Sequence, residues 1–322
     1  MSTRWRVVVT RRLPAAVEAA LAERFEVQRN DDDHPFTVAE LRAAIADADA
    51  VLPTVTDRLT AEVFADATGR CKVIANFGVG VNHIDLDAAA RAGCVVTNTP
   101  DVLTDDTADL AILLMLAVLR GAGAGERRVR SGHWSGWGPT TDLGRRLTGK
   151  TLGIVGFGRI GQAVATRARL GFGMRVLAWG RRRPAPDALS GVTWVDSLDV
   201  LLPQVDVLSL HTPGGAATRH LIDASRLARL RPDAVVVNTA CGDVVDEAAL
   251  VAALEAGRLA GAGLDVYERE PVVHPGLLGR DDVVLLPHLG SATVESRVAM
   301  GLRAVENLAA VLEGRTPRDR VA

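Results

Sequence analysis

The stretch "TLGIVGFGRIGQAVA", residues 151–165, restricts the possible folds more than any other part of the chain. An apolar run of strand composition leads straight into Gly156, Gly158 and Gly161, spaced G-x-G-x-x-G, and an Ala-rich helical pattern follows. Gly156 permits a tight turn, Gly158 lets a pyrophosphate approach the backbone, and Gly161 lets helix and strand pack closely. The positive end of the helix then faces the anion. The three glycines alone would equally fit a packing turn. With a strand before them and a helix after them, they predict a dinucleotide site.

The next strand, "MRVLAWG", ends at Gly180, 19 residues after Gly161, where an NAD site commonly carries an acidic group for the ribose 2′-hydroxyl. Arg181, Arg182 and Arg183 follow it. Guanidinium groups beside a missing carboxylate suit a 2′-phosphate through charge-assisted bonds, so NADP(H) is expected in preference to NAD(H). A solvated turn is the alternative, and the position at the carboxyl end of a strand weighs against it.

Strand-like runs alternate with helical patterns from the start. "WRVVVT", "ADAVLP", "KVIANF" and "CVVTNT" are separated by helix-length segments, with helices beginning at Pro14 and Asp85. Asp105 to Leu119 reads as a largely apolar helix, and the Gly-rich stretch to Lys150 as a linker or a loop around a site. Its two tryptophans, Trp134 and Trp137, are expected to bury against something. Beyond it come strands at 151–155, 175–179, 205–210, 234–238, 260–265 and 283–286, with a helix from about 160. Strands alternating with helices predict an α/β protein with parallel sheets, and 322 residues give room for two domains.

Composition excludes several function classes. The chain is 48% hydrophobic and 24% charged, as ordinary globular proteins are. Its 37 basic residues, of which only Lys72 and Lys150 are lysines, are offset by 39 acidic ones to a net charge of −2, so a phosphate-reading nucleic-acid surface is not expected. Cys71, Cys94 and Cys241 are odd in number and lack CxxC spacing, which implies neither a disulfide framework nor a metal site. The start lacks the apolar core of a signal peptide. The greasiest run, "LAILLMLAVL" at 110–119, is shorter than the about 20 residues that span a bilayer. A cytoplasmic protein without a membrane segment is expected.

Two further segments place a titratable residue just past a strand: Glu270 in "GAGLDVYEREP" and His288 in "VVLLPHLGSAT", with a helix from about Ser291. Histidine titrates near neutrality and can protonate a developing alkoxide, and a carboxylate would hold its orientation and raise its pKa. Taken singly, each also fits a structural role, His288 as a cap or core residue and Glu270 as a surface acid.

At this point the chain resembles the D-isomer-specific 2-hydroxyacid dehydrogenases, and within them the glyoxylate/hydroxypyruvate reductases. The resemblance runs nearly end to end through "NFGVGVNHIDLDAAARAGCVVTNTPDVLTDDTADLA", "LTGKTLGIVGFGRIGQAVA", "SLHTPGGAATRHLI", "VVNTACGDVVDEAALVAAL", "AGLDVYEREP" and "LPHLGSAT". It implies two Rossmann-like doubly wound parallel-sheet domains. Residues 1–99 plus 289–322 would form the substrate-binding domain, residues 100–288 an inserted NAD(P)-binding domain, and the active site would lie in the cleft. The reaction implied is reduction of a small 2-oxo acid to the D-2-hydroxy acid with NADPH. Gly78, Val79 and Gly80 would hold the substrate carboxylate through backbone amides, and His288 with Glu270 would be the acid/base pair. Gly156, Gly158, Arg159, Ile160, Gly161, Arg181, Arg182, Thr212, Thr239 and Asp265 would hold the cofactor. The resemblance also implies a homodimer formed through the cofactor domain, with Trp134 and Trp137 reaching toward a partner's active site.

There is one departure. Where the family reads N-T-A-R-G, this chain reads "NTACG", so Cys241 replaces the arginine that binds the carboxylate and polarises the ketone. A thiol offers neither the fork of donors nor the positive charge. Three accounts stand open: an engineered replacement, a natural relative whose substrate lacks the usual 2-oxo acid group, and a cofactor-binding pseudoenzyme or sensor. A thiol nucleophile activated by His288 is a fourth, and an inert core cysteine is the plainest. Weak reduction of glyoxylate and hydroxypyruvate is expected. A corepressor of related fold is disfavoured by the charge balance.

Overall fold

A computed structural model describes residues 4–322, and the chain divides into two compact units. One takes in the chain through Leu103 together with Ala292–Ala322, and the other is Thr104–Ser291.

The first unit is built on β1 (Arg6–Val9), β2 (Glu26–Gln28), β3 (Ala50–Leu52), β4 (Val73–Ala75) and β5 (Val95–Thr97), in sheet order β2-β1-β3-β4-β5 with every pairing parallel. The inner strands β3 and β4 are buried throughout, as strands covered by helices on both faces must be. Val8, Leu41, Ile45, Val51, Ile74 and Val96 belong to one apolar core. Helix Val294–Leu312 returns from the far end of the chain to this unit and crosses helix Ala15–Arg24 closely, since a Cβ on Gly301 would lie 2.3 Å from a Val17 methyl. The last residues lie along β5, where Val321 N donates to Val96 O at 2.8 Å.

The second unit carries β6 (Thr151–Val155), β7 (Arg175–Trp179), β8 (Val192–Trp194), β9 (Val207–Leu210), β10 (Val235–Asn238), β11 (Gly261–Leu264) and β12 (Val283–Leu285). Their order is β12-β11-β10-β9-β6-β7-β8, again all parallel. The winding reverses between β6 and β9, and ligands of open parallel sheets bind outside the carboxyl ends at such a point. Helix Thr104–Leu119 packs Ala108, Ala111, Leu114 and Met115 against this sheet. Among the described residues no single helix is long and apolar enough to cross a membrane.

The structure differs from the sequence reading in four places. Strands β2 and β8 were not foreseen, because each is a three-residue edge strand with no fully buried residue. The Gly-rich stretch after Leu119 opens as helix Ala122–Arg130, held through Arg127 to the carbonyl of Arg280 and to Asp281. Trp134 and Trp137 do not bury within the chain: they stand 56% and 84% exposed, on a segment that carries them over the surface. The helix after His288 begins at Val294 rather than Ser291, because the amides of Leu289 and Gly290 are taken by the Asp265 carboxylate. The chain turns helical only where the Thr293 hydroxyl accepts from Ser296 N.

Candidate active site

In the second unit, every residue singled out from the sequence except Trp134 and Trp137 follows a strand at the carboxyl edge of one sheet or opens the helix after β6. The turn after β6 is shaped by its glycines. Gly156 has φ +93°, and a Cβ there would lie 2.6 Å from the His211 carbonyl. A Cβ on Gly161 would lie 2.3 Å from the Gly156 carbonyl oxygen, whereas Gly158 faces open space. Helix Arg159–Phe172 starts immediately, with Arg159 and Ile160 in its first turn and no side chain capping it. Its first amides therefore have an anion site's character. Thr212 after β9 and Thr239 after β10 are buried, and neither hydroxyl has a partner among the described residues. A cradle that a Cβ would fill, an uncapped helix start and two orphaned hydroxyls fit a dinucleotide.

Arg181, Arg182 and Arg183 follow β7 and are exposed, and among the described residues none has an ion-pair or hydrogen-bond partner. Gly180 brings them to the glycine turn: a Cβ on it would lie 3.6 Å from Phe157 N.

His288 and Glu270, from the turns after the neighbouring strands β12 and β11, meet with Nδ1 and Oε2 2.8 Å apart. The other Glu270 oxygen accepts from Tyr267 N at 3.0 Å, so the carboxylate is fixed at both ends. His288 has φ +57°, a conformation that non-glycine residues seldom adopt. Its turn is held by Asp265, whose buried carboxylate accepts from Leu289 N and Gly290 N at 2.6 and 2.8 Å. Burial raises the Asp265 pKa against the stabilising effect of those amides. The sequence reading missed Tyr267, whose hydroxyl donates to Leu286 O at 2.8 Å and so ties the Glu270 and His288 turns together. Its being the one tyrosine of the chain, three residues before Glu270, was the available signal.

Cys241 follows β10 and is half-buried on the edge of the sheet's core. Asn238 shapes its turn, donating to Cys241 O at 2.9 Å and accepting from Ala240 N at 3.0 Å. Burial, reinforced by the charges of Asp243 and Glu270, pushes the thiol up to about 11. At neutral pH it is protonated, which makes it a poor nucleophile.

In the first unit, the turn Gly78–Val79–Gly80 follows β4. All three of its carbonyls accept side-chain amides: Asn76 Nδ2 donates to Gly78 O and Gly80 O, and Asn98 Nδ2 to Val79 O. The amides of Val79 and Gly80 donate to no protein acceptor among the described residues.

Comparison with known proteins gives these features a common setting. Residues 112–290 match the family model described as D-isomer specific 2-hydroxyacid dehydrogenase, NAD binding domain. A glyoxylate reductase of Thermococcus onnurineus is 44% identical over 317 residues, covering 97% of this chain and 94% of that protein. A solved structure from Thermus thermophilus is similar with TM-score 0.89 and 46% identity, over 98% of this chain and 100% of the other. An NADPH-dependent glyoxylate/hydroxypyruvate reductase from Sinorhizobium meliloti, solved with NADP and malonate, is similar with TM-score 0.89 and 38% identity, over 99% and 97%. The chain belongs to the D-isomer-specific 2-hydroxyacid dehydrogenases and is an NAD(P)-dependent oxidoreductase of that family.

Proposed function

We propose that this protein reduces a small 2-oxo acid of the glyoxylate or hydroxypyruvate type to the D-2-hydroxy acid, using NADPH in preference to NADH, and that Cys241 makes it slow. The 2.8 Å contact between His288 and Glu270 at the sheet's carboxyl edge carries the reading. With Nδ1 donating to Glu270, the proton for the ketone oxygen leaves from Nε2, and Glu270 stabilises the imidazolium beforehand. The dihydronicotinamide, when bound, supplies the reducing equivalent. The Gly156–Gly161 turn would hold its pyrophosphate, Thr212 and Thr239 would offer hydroxyls along its length, and Arg181 and Arg182 would take the 2′-phosphate. Asp265 would act by keeping the His288 turn in place. Val79 and Gly80 would give their amides to the substrate carboxylate. A homodimer would cover Trp134 and Trp137.

The uncharged thiol at position 241 favours a second reading, in which the accepted carbonyl compound carries no carboxylate. A panel of 2-oxo acids and neutral ketones, assayed with NADPH and NADH, tests both readings. The main reading expects turnover of 2-oxo acids that falls about 100-fold or more in His288→Gln, with NADPH affinity kept. Turnover of neutral ketones alone, or an unaffected His288→Gln, would refute it.

A further inference from the structure

The amino-terminal unit holds a buried polar relay that the mechanism above does not use. Asn76 is fully buried at the end of β4. Its Nδ2 donates to Gly78 O at 3.1 Å and to Gly80 O at 2.9 Å, which fixes the orientation of the side-chain amide and leaves Oδ1 as an acceptor. His83 Nε2 lies 3.0 Å from that Oδ1, so this nitrogen must carry the ring hydrogen. Burial, with the Arg58 charge adding, lowers the His83 pKa to about 4. The ring is therefore neutral at physiological pH, and its single N–H is committed to Asn76.

We propose that Asn76 and His83 are positioning residues for substrate: His83 orients Asn76, and Asn76 occupies the Gly78 and Gly80 carbonyls, with Asn98 on the Val79 carbonyl between them, so that the Val79 and Gly80 amides are left for a carboxylate. The proposal rests on the function given above. A carboxylate held by backbone amides needs a peptide turn that does not relax, because a rotated peptide unit presents a carbonyl to the anion instead of an N–H. Asn76 opposes that rotation at both ends of the turn, and Thr99 N, donating to Gly78 O at 3.0 Å, adds a backbone anchor. A neutral imidazole does this without placing a second charge beside the anion.

The test uses the intact chain and the variants His83→Ala, His83→Gln and Asn76→Asp. Three quantities are read: KM and kcat for glyoxylate, NADPH affinity by fluorescence titration, and hydrogen exchange over residues 76–83. Loss of one hydrogen bond to a buried acceptor predicts that His83→Ala raises KM about tenfold. Exchange at the 78–80 amides should quicken by a similar factor, with kcat and NADPH affinity within about twofold. His83→Gln, which can still donate, restores most of the loss, and Asn76→Asp raises KM at least as far as His83→Ala. An unchanged KM, or an equal loss of NADPH affinity, overturns the proposal. Should His83→Ala not fold, the other two variants are read by the same criteria. If the unaltered protein reduces no 2-oxo acid, the function above fails, and exchange still decides the relay: unchanged exchange in His83→Ala or Asn76→Asp overturns it.

Discussion

Replacing Cys241 by arginine tests the catalytic reading most directly. The residue follows β10, beside the strand that leads to Glu270, and its thiol is raised to about 11 by burial and by the carboxylates of Asp243 and Glu270. The half-buried setting would keep a guanidinium there partly desolvated, where its charge can act on a developing alkoxide. One preorganised contact of this kind is worth about 2.7 kcal/mol, or roughly 100-fold in turnover. The new side chain must pass the Gly214 turn, which packs so closely that a Cβ on Gly214 would lie 3.0 Å from the sulfur. That crowding should lower stability by about 1 kcal/mol. Steady-state oxidation of NADPH with glyoxylate and hydroxypyruvate is therefore expected to rise about 100-fold in Cys241→Arg. Cys241→Ala should stay within about twofold of the unaltered protein, because a protonated thiol contributes little. An arginine variant that is folded, binds NADPH normally and is no faster would show that residue 241 does not face the reacting group. Complete loss in the alanine variant would instead make the thiol a participant.

Other consequences are equally open to measurement. Arg181→Ala combined with Arg182→Ala should weaken NADPH binding about tenfold or more and leave NADH binding unchanged, as fluorescence titration of both cofactors would show; equal effects on the two would remove the 2′-phosphate assignment. His211, whose pKa burial lowers to about 3, is protonated more readily unfolded than folded, so its contribution to stability is present above about pH 6.5 and is lost as pH falls toward 3. Urea titrations from pH 7 down to 4 should show stability falling with a slope up to about 1.4 kcal/mol per pH unit from this group alone, and His211→Asn should reduce that slope by the same amount.

Much of the fold follows from local pattern. The inner strands of a parallel sheet are apolar on both faces, so "TLGIV" and "VVVN" announce themselves, and Gly156, Gly158 and Gly161, set between such a strand and a helix, point to a turn around a phosphate. The sequence by itself also placed His288 and Cys241 just beyond strands, since each closely follows an apolar run, and put Glu270 a few residues further past its own strand. Tertiary structure decided the rest. Glu270 and His288 are 18 residues apart, and they meet only because β11 and β12 lie side by side. Asn76 and His83 carry no periodic signal, and their partnership exists only once the 78–80 turn doubles back over the end of β4. Edge strands β2 and β8 take their pairing from a neighbour rather than from their own composition, and helix Ala122–Arg130, with two internal glycines, depends on contacts outside itself. Local sequence specifies an element when burial imposes a period on it. Where a residue's role is to hold a distant backbone or charge, only the packing of the whole unit reveals it.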